Sequence, residues 1–569
     1  SAYLGGTQLP GAIAGRRIGF DFARPLSAAA VWGGTLAATL FLALGSAFVA
    51  FAPALLGGDS TTWKNLVDEG ELRAPWPIVL VGASLLVFGL FGAAGVALRA
   101  RSPLLAIDLL LGAATLAAAA YGLIRLQWAG VTRSVMTGTF FVLAALATVA
   151  LLGAGFAAVA RGRTEIRAAN RAQSQVLWGT IAIGLLGLYS YASWLFSAPP
   201  SRLTELHVAQ TSGTGPWIYV EGVARGASAH FLYDTAGGRY VRVPWGTGDP
   251  VFSEAGLVAA WIGGLNQSPT LRVVELSGTR PSAQTRAGLP ADAAGLVLDT
   301  RGSRVAVIGK DGVSVYDVRS GRLRAAARIA KYESFPRAFF LEPGRLRVYW
   351  FPGAREDGRL DIYELDVAAR RIVRTGTITG LTGWPLLATD REGRRLACLE
   401  YEAKRLRLFD ARSGEFLATL TDATTFSGSP RFLADGRIVA LGRRGQQRVL
   451  KVFTSDGHQT QEFGVPGDSL ETWTHSTLGG EIAPGALVLA TGESGDPTAY
   501  EIFLDGRSER LLGRHLRPVV RWLAFFGRPN AVPPAGDPSA ALFQNADGTL
   551  VRVDPSTAKQ QVILGTRGR

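Results

Sequence analysis

The sequence predicts a membrane α-helical bundle of five transmembrane helices followed by an all-β propeller of eight blades, with seven as the alternative. Two observations carry this. Five apolar stretches, each near the ~20 residues that cross a bilayer, fill the first 200 positions. A strand–turn–strand unit then recurs at intervals of about 41–51 residues, a period that fits one four-stranded blade per copy. The expected organisation is an N-terminal cytoplasmic or interfacial segment (1–26), a five-helix transmembrane domain (27–198) and an extracytoplasmic propeller (199–569).

The apolar stretches are 28–56, 78–98, 104–123, 135–160 and 176–196. The first begins too late and runs too long for a cleaved signal peptide, and reads as an uncleaved anchor. Their Gly and Ala content, as in Gly92 to Gly95 and 112–120, lets helices approach one another or the helices of a partner closely. Orientation follows from the positive charges in the connecting segments. Nine arginines (16, 17, 24, 99, 101, 161, 163, 167 and 171) fall on one side, and Lys64, Arg73, Arg125 and Arg133 on the other. The richer side is cytoplasmic by the positive-inside rule, so five crossings place the chain after Phe196 outside, in a bacterial periplasm or its equivalent. One span gained or lost would reverse that assignment.

Inside the spans stands a single acid, Asp108, about two helical turns from Arg101. A proton or ion relay needs several polar groups in series, so Asp108 is expected to pair structurally with Arg101 or a neighbouring arginine. At the exit, WLFSAPPSR places Trp194 as an interfacial anchor, and Pro199 and Pro200 as a helix stop that stiffens the connection.

From residue 203 the chain reads as short alternating strands between Gly, Asp and Ser turns. The clearest copies are YDTAGGRYVRV (233–243), YDVRSGRLRAA (316–326), LDVAARRIVRT (365–375), FDARSGEFLAT (409–419) and VDPSTAKQQVI (553–563). Weaker ones begin at 274, 453 and 503. An apolar residue ends one strand on the buried face, and the following acid accepts hydrogen bonds from backbone amides of the turn. Asp234, Asp317, Asp366, Asp410 and Asp554 take that position, which is a structural role. The Asp-x-x-Ser-Gly turn in YDVRSGRL and FDARSGEF resembles the YVTN- and WD40-like bacterial propeller repeats. The resemblance covers 203–569 and implies architecture only, since the Trp-Asp and Gly-His signatures of true WD40 repeats and the tryptophan of quinoprotein repeats are missing.

Composition narrows the function. Net charge is +14, spread as +6 over 1–200 and +8 over 201–569, with no basic run interleaved with aromatics; nucleic acid is not an expected partner. One cysteine, Cys398, rules out an intramolecular disulfide, and the five histidines lack metal-ligand spacing. The Gly-Asp-Ser-Leu at 467–470 matches a hydrolase nucleophile motif, but it lies within a propeller unit and no Asp-x-x-His follows, so Ser469 is not expected to act as a nucleophile. No phosphate loop, dinucleotide turn, His-Glu-x-x-His or haem-attachment motif occurs. No cofactor or metal and no catalytic residue is expected. The expected role is a non-catalytic accessory or scaffold subunit of an inner-membrane complex. Its partners would be other membrane-protein subunits and the lipid bilayer. The alternatives are an extracytoplasmic ligand-binding receptor and an accessory to an ABC-type exporter.

Overall fold

The computed structural model describes residues 166–565 apart from 212–214, 245–247, 264–267, 279–280, 330–335, 343, 353–357, 384, 401, 421–424, 427–429, 446, 466–476, 494–495, 520–540 and 546–547, together with scattered positions before 166. By contact density the chain divides into two units, Ser1–Ala198 with Arg225–Ser228, and Pro199–Ala224 with Ala229–Arg569.

In the first unit, helix α1 spans Ile166–Phe196. Its stretch Arg171–Phe196 is long and apolar enough, by length and composition, to cross a bilayer. The sequence reading started the helix at Val176 and left Arg167 and Arg171 in a loop. Instead both arginines lie in the helix, which begins ten residues sooner, adding about 15 Å of polar helix at 1.5 Å per residue. The added segment, IRAANRAQSQ, holds no proline or glycine to stop it. Along the apolar part Ile183, Leu186 and Tyr189 are strongly exposed. The other four expected spans lie, save for scattered positions, outside the described residues.

The second unit is built from eight sheets, each made of consecutive antiparallel strands. The blades cover 204–243, 251–288, 295–328, 337–378, 386–419, 425–464, 477–514 and 516–564. The first strands of successive blades abut one another, which makes them the inner strands around the ring axis. Burial follows from that arrangement. The second strand of blade 2, Val258–Gly263, is buried at every position because a neighbouring blade covers each face. The outer strand of blade 3, Leu323–Arg328, is mostly exposed. Continuous apolar runs therefore mark middle strands, and mixed ones mark the rim.

Seven hydrophobic clusters join neighbouring blades from 1 to 8, for instance Phe339, Tyr349, Leu387, Leu396 and Phe409 between blades 4 and 5. The eight-blade reading holds and the seven-blade alternative falls, because no blade is shared between the two ends of the domain. The ring closes from blade 8 to blade 1 through side chains. Gln544 Nε2 donates to the Leu206 carbonyl, Arg552 Nη2 to Thr235 Oγ1 at 3.2 Å, and Tyr233 Oη to the Ile563 carbonyl at 3.3 Å. Blade 6 departs from the pattern. Its inner strand is broken into Thr425–Phe426 and Arg431–Phe432, which pair with opposite ends of the same neighbour, Ile438–Arg444.

Candidate interaction surface

The exit from α1 is a compact turn. Ala198, preceding a proline, is kept out of the helical region, and α1 ends at Phe196. Pro199 is extended at φ −77°, ψ 162°, and Pro200 opens a short 3₁₀ turn to Arg202. The double proline thus opens a short turn, where the sequence reading gave it only a stop and a stiff connection. Within the first unit Trp194 stacks on Tyr191, with ring centres 5.9 Å apart. The Arg225 guanidinium lies 4.3 Å over the Trp194 ring and also donates to the Trp194 carbonyl, a cation on the last carbonyls of a helix. Asp108 and Arg101 lie outside the described residues.

Each of the five aspartates stands between the third and outer strands of its blade and spends its carboxylate on the turn. Asp234 Oδ1 accepts from the amides of Ala236 and Gly237, both at 3.0 Å. Asp317 accepts from the Ser320 amide and hydroxyl, Asp366 from the amides of Ala368 and Ala369, and Asp410 from the amides of Arg412 and Ser413. Asp554 accepts from the Ser556 amide and hydroxyl and from the Thr557 hydroxyl. The Ser320 amide, the Arg324 guanidinium and the Ser320 hydroxyl hold the Asp317 carboxyl at about 2. The Ser556 and Thr557 hydroxyls lead those holding Asp554 at about 2. Asp234 is the one almost fully buried. Burial opposes its ionisation, but the Gly237 amide and the Arg239 guanidinium outweigh it and keep its carboxyl below the ordinary value. Arg239 also donates to the Gly278 carbonyl, so this turn ties blade 1 to blade 2.

Sequence reading missed a second set of charges, those inside strands. Glu364 accepts from Arg347 Nη2 at 2.6 Å and Arg345 Nη2 at 2.9 Å, with Glu364 and Arg347 both nearly buried. Arg347 also donates to the Gly393 carbonyl of blade 5, which makes the pair a bridge between blades 4 and 5. Fully buried Glu400 takes Arg405, Arg407 and the Thr382 amide. The available signal was a charge at an interior strand position, as in RLRVYW and RLRLFD.

A third group gathers in blade 1. Tyr219 Oη and His230 Nδ1 are hydrogen-bonded at 2.9 Å, and Glu221 lies 3.8 Å from the same nitrogen. His230 Nε2 is buried without a hydrogen-bond partner. The His230 bond holds the Glu221 carboxyl down, whereas burial and then the Glu221 charge push Asp249 up. Among the described residues no group of three or more His, Cys, Asp or Glu side chains has the spacing to hold a metal ion. Cys398 is fully buried, and burial pushes its thiol up, which leaves it unreactive.

No protein-family model matches the chain, and no curated protein matches it. Solved structures resemble it at low identity. A prolyl endopeptidase structure is 9% identical over 58% of this chain and 54% of its own, with a TM-score of 0.38. The chain thus spans about half of that enzyme's length. The WD40 domain of SCAP from fission yeast is 11% identical over 56% of this chain and 86% of its own, with a TM-score of 0.39. TolB from Acinetobacter baumannii is 12% identical over 50% and 70%, at 0.28. The likeness is one of fold alone, and the eight-bladed propeller stands on the chain's own sheets.

Proposed function

We propose that the chain is a non-catalytic accessory or scaffold subunit of a bacterial inner-membrane complex. Its apolar N-terminal part would sit in the bilayer and its propeller would offer an extracytoplasmic surface to protein partners. The observation that supports this most is where the charge goes. The repeated aspartates are consumed by their own turns, and the interior carboxylates by arginines of their own or the next blade. Such bonds fix a shape and leave no described acid of these two sets poised for proton transfer. The exposed apolar side chains of α1 add a surface that needs lipid or partner helices.

Gentle solubilisation of native membranes, followed by affinity capture of the full chain, tests the reading. Stoichiometric membrane-protein partners are expected; a monodisperse lone monomer would count against it. Protease added to intact spheroplasts is expected to cut the propeller, and complete protection would overturn the outside placement. A receptor, or an accessory to an exporter, would share this architecture, and capture of a transporter would favour the latter.

A further inference from the structure

The rim of the ring is unevenly charged. In every blade the last residue of the third strand leads through a turn into the outer strand. In blade 3 this segment is 317–328 and carries four arginines against one acid; in blade 4 it is 366–378 and carries three against one. The same segments of the other six blades have net charges between −2 and +1. The two basic segments adjoin. Val367 and Ile372, on either side of the blade 4 turn, pack in one apolar cluster with Ala325 and Ala327 of the blade 3 outer strand. Arg319 and Arg322 of the blade 3 turn, and Arg370 and Arg371 of the blade 4 turn, are exposed and enter no ion pair among the described residues. Arg324 and Arg374 beside them lie 2.9 Å from Asp317 and 3.9 Å from Asp361. The acids of the two segments, Asp317 and Asp366, accept from the amides of their own turns. Leu323 and Val373 are exposed large apolar side chains of the same two outer strands.

One of these arginines stands at a costly place. The position four residues after the turn aspartate is left-handed in all five of those turns. It is Gly238, Gly321 and Gly414 in blades 1, 3 and 5, at φ 68°, 67° and 75°, and the small Ala558 in blade 8, at 55°. Blade 4 puts Arg370 there, at φ 52°. A side chain in this region lowers stability where glycine does not. Packing does not offset that loss, because Arg370 is exposed and enters no ion pair among the described residues. Backbone strain of this kind collects at functional positions. What the arginine adds here is a positive charge in the middle of the basic rim.

We infer that the rim of blades 3 and 4 is the docking surface for an acidic segment of a protein partner, with apolar side chains among its carboxylates. Guanidinium groups hold carboxylates with paired, charge-assisted hydrogen bonds, and Leu323 and Val373 supply the apolar contacts between them. Outer strands are sheet edges, along which an extended segment can lie. Charge of one sign over two neighbouring edges steers such a segment and sets its position. The inference deepens the scaffold reading by giving the chemistry of one partner, and it rests on that reading. The two fail differently. If the rim is not the site, parent chain and rim variants capture the same partners; if the scaffold reading is wrong, the parent chain captures none.

Fluorescence anisotropy tests it, with the full chain in nanodiscs of neutral lipid and a short labelled peptide of repeated Glu-Glu-Leu. Saturable binding that weakens as salt rises is expected, and none for the same peptide with lysine in place of glutamate. Arg322→Glu combined with Arg371→Glu should weaken binding roughly tenfold, the sum of two exposed charge contacts reversed. Arg370→Gly is the sharper variant, because it removes the charge and the backbone strain together. It should weaken binding about threefold, while its thermal midpoint stays level or rises. A loss of folding cannot produce that pair of results. The inference is overturned if the acidic peptide gives no saturable binding, if the lysine peptide binds equally, or if the double variant binds as the parent does. A lower midpoint in Arg370→Gly would make that arginine structural and count against the site. Co-sedimentation of the nanodiscs with phosphatidylglycerol vesicles through these arginines, without peptide binding, would make the rim a lipid surface and overturn it as well.

Discussion

The joint between blades 4 and 5 and the seam between blades 8 and 1 do the same job by different means. At the joint, Arg347 bonds both a buried carboxylate and a carbonyl of the next blade, and Tyr349 Oη donates to the Ala411 carbonyl 62 residues away. Three bonds among the described residues bridge the seam; they join residues more than 300 apart and none of the three pairs opposite charges, and Arg552 bridges with one nitrogen while its Nε is buried without a partner. Closing a loop of 330 residues in place of 62 costs about 1.5 kcal/mol more in chain entropy. The seam is therefore expected to be the weaker of these two, and to open before the joint. The lesson is that a propeller without a shared blade closes through its least local contacts.

The largest expected effect tests the strong side. Glu364→Ala leaves Arg347 buried without its carboxylate and should cost about 3–5 kcal/mol in denaturant unfolding. Gln544→Ala at the seam should cost only about 1 kcal/mol, while speeding amide exchange in blades 1 and 8 before blades 4 and 5. Equal costs, or exchange that starts at blades 4 and 5, would remove the contrast.

Within the row of aspartates the same logic grades the turns. Asp234→Ala strips a buried carboxylate from Arg239 and should cost about 1.5–3 kcal/mol. Asp554→Ala, on an exposed turn, should cost clearly less by the same measurement. Parity would mean that the tie to blade 2 through Arg239 contributes nothing.

Glycines in those turns give a smaller, sharper comparison. Gly238 and Gly321 have φ of 68° and 67°. A methyl group on Gly321 would collide with the Arg286 carbonyl of blade 2, while one on Gly238 meets open space apart from the Tyr233 hydroxyl. Gly238→Ala should therefore cost about 1 kcal/mol, the left-handed penalty alone. Gly321→Ala should lower the thermal midpoint further.

The smallest effect is on acid stability. Asp317 and Asp554 are held at about 2, below the ~3.9 of an unfolded aspartate. Since the folded value is the lower one, their contribution is complete above about pH 4 and is lost as pH falls towards 2. Thermal midpoints between pH 2 and 6 should show this slope, and it should flatten in Asp317→Asn. An unchanged slope would show that the turn bonds do not set it.

Much of the propeller was legible because its turns are local. A strand end, an acid and the turn amides it accepts from lie within about five residues, so five copies stood out. The three weaker copies are the third-to-outer connections of blades 2, 6 and 7. In two of them the acid has moved into the turn itself, where Asp505 accepts from the Arg507 amide and Asp456 from the Thr454 hydroxyl. Glu364 and Arg347 face each other across consecutive strands of blade 4, a pairing that depends on the strand register, and the Gly393 carbonyl that Arg347 meets comes from the next blade; neither was legible in the sequence.

The sequence by itself determined the repeat, its period, the acids that lock each turn and the presence of apolar stretches of membrane-spanning length. Hydrogen bonds over a few residues and the density of apolar side chains suffice for these. Tertiary structure decided that eight blades close without sharing one, and which charges are spent between blades. Those depend on which distant backbones meet, and a linear pattern of residue types carries no record of distances across the ring.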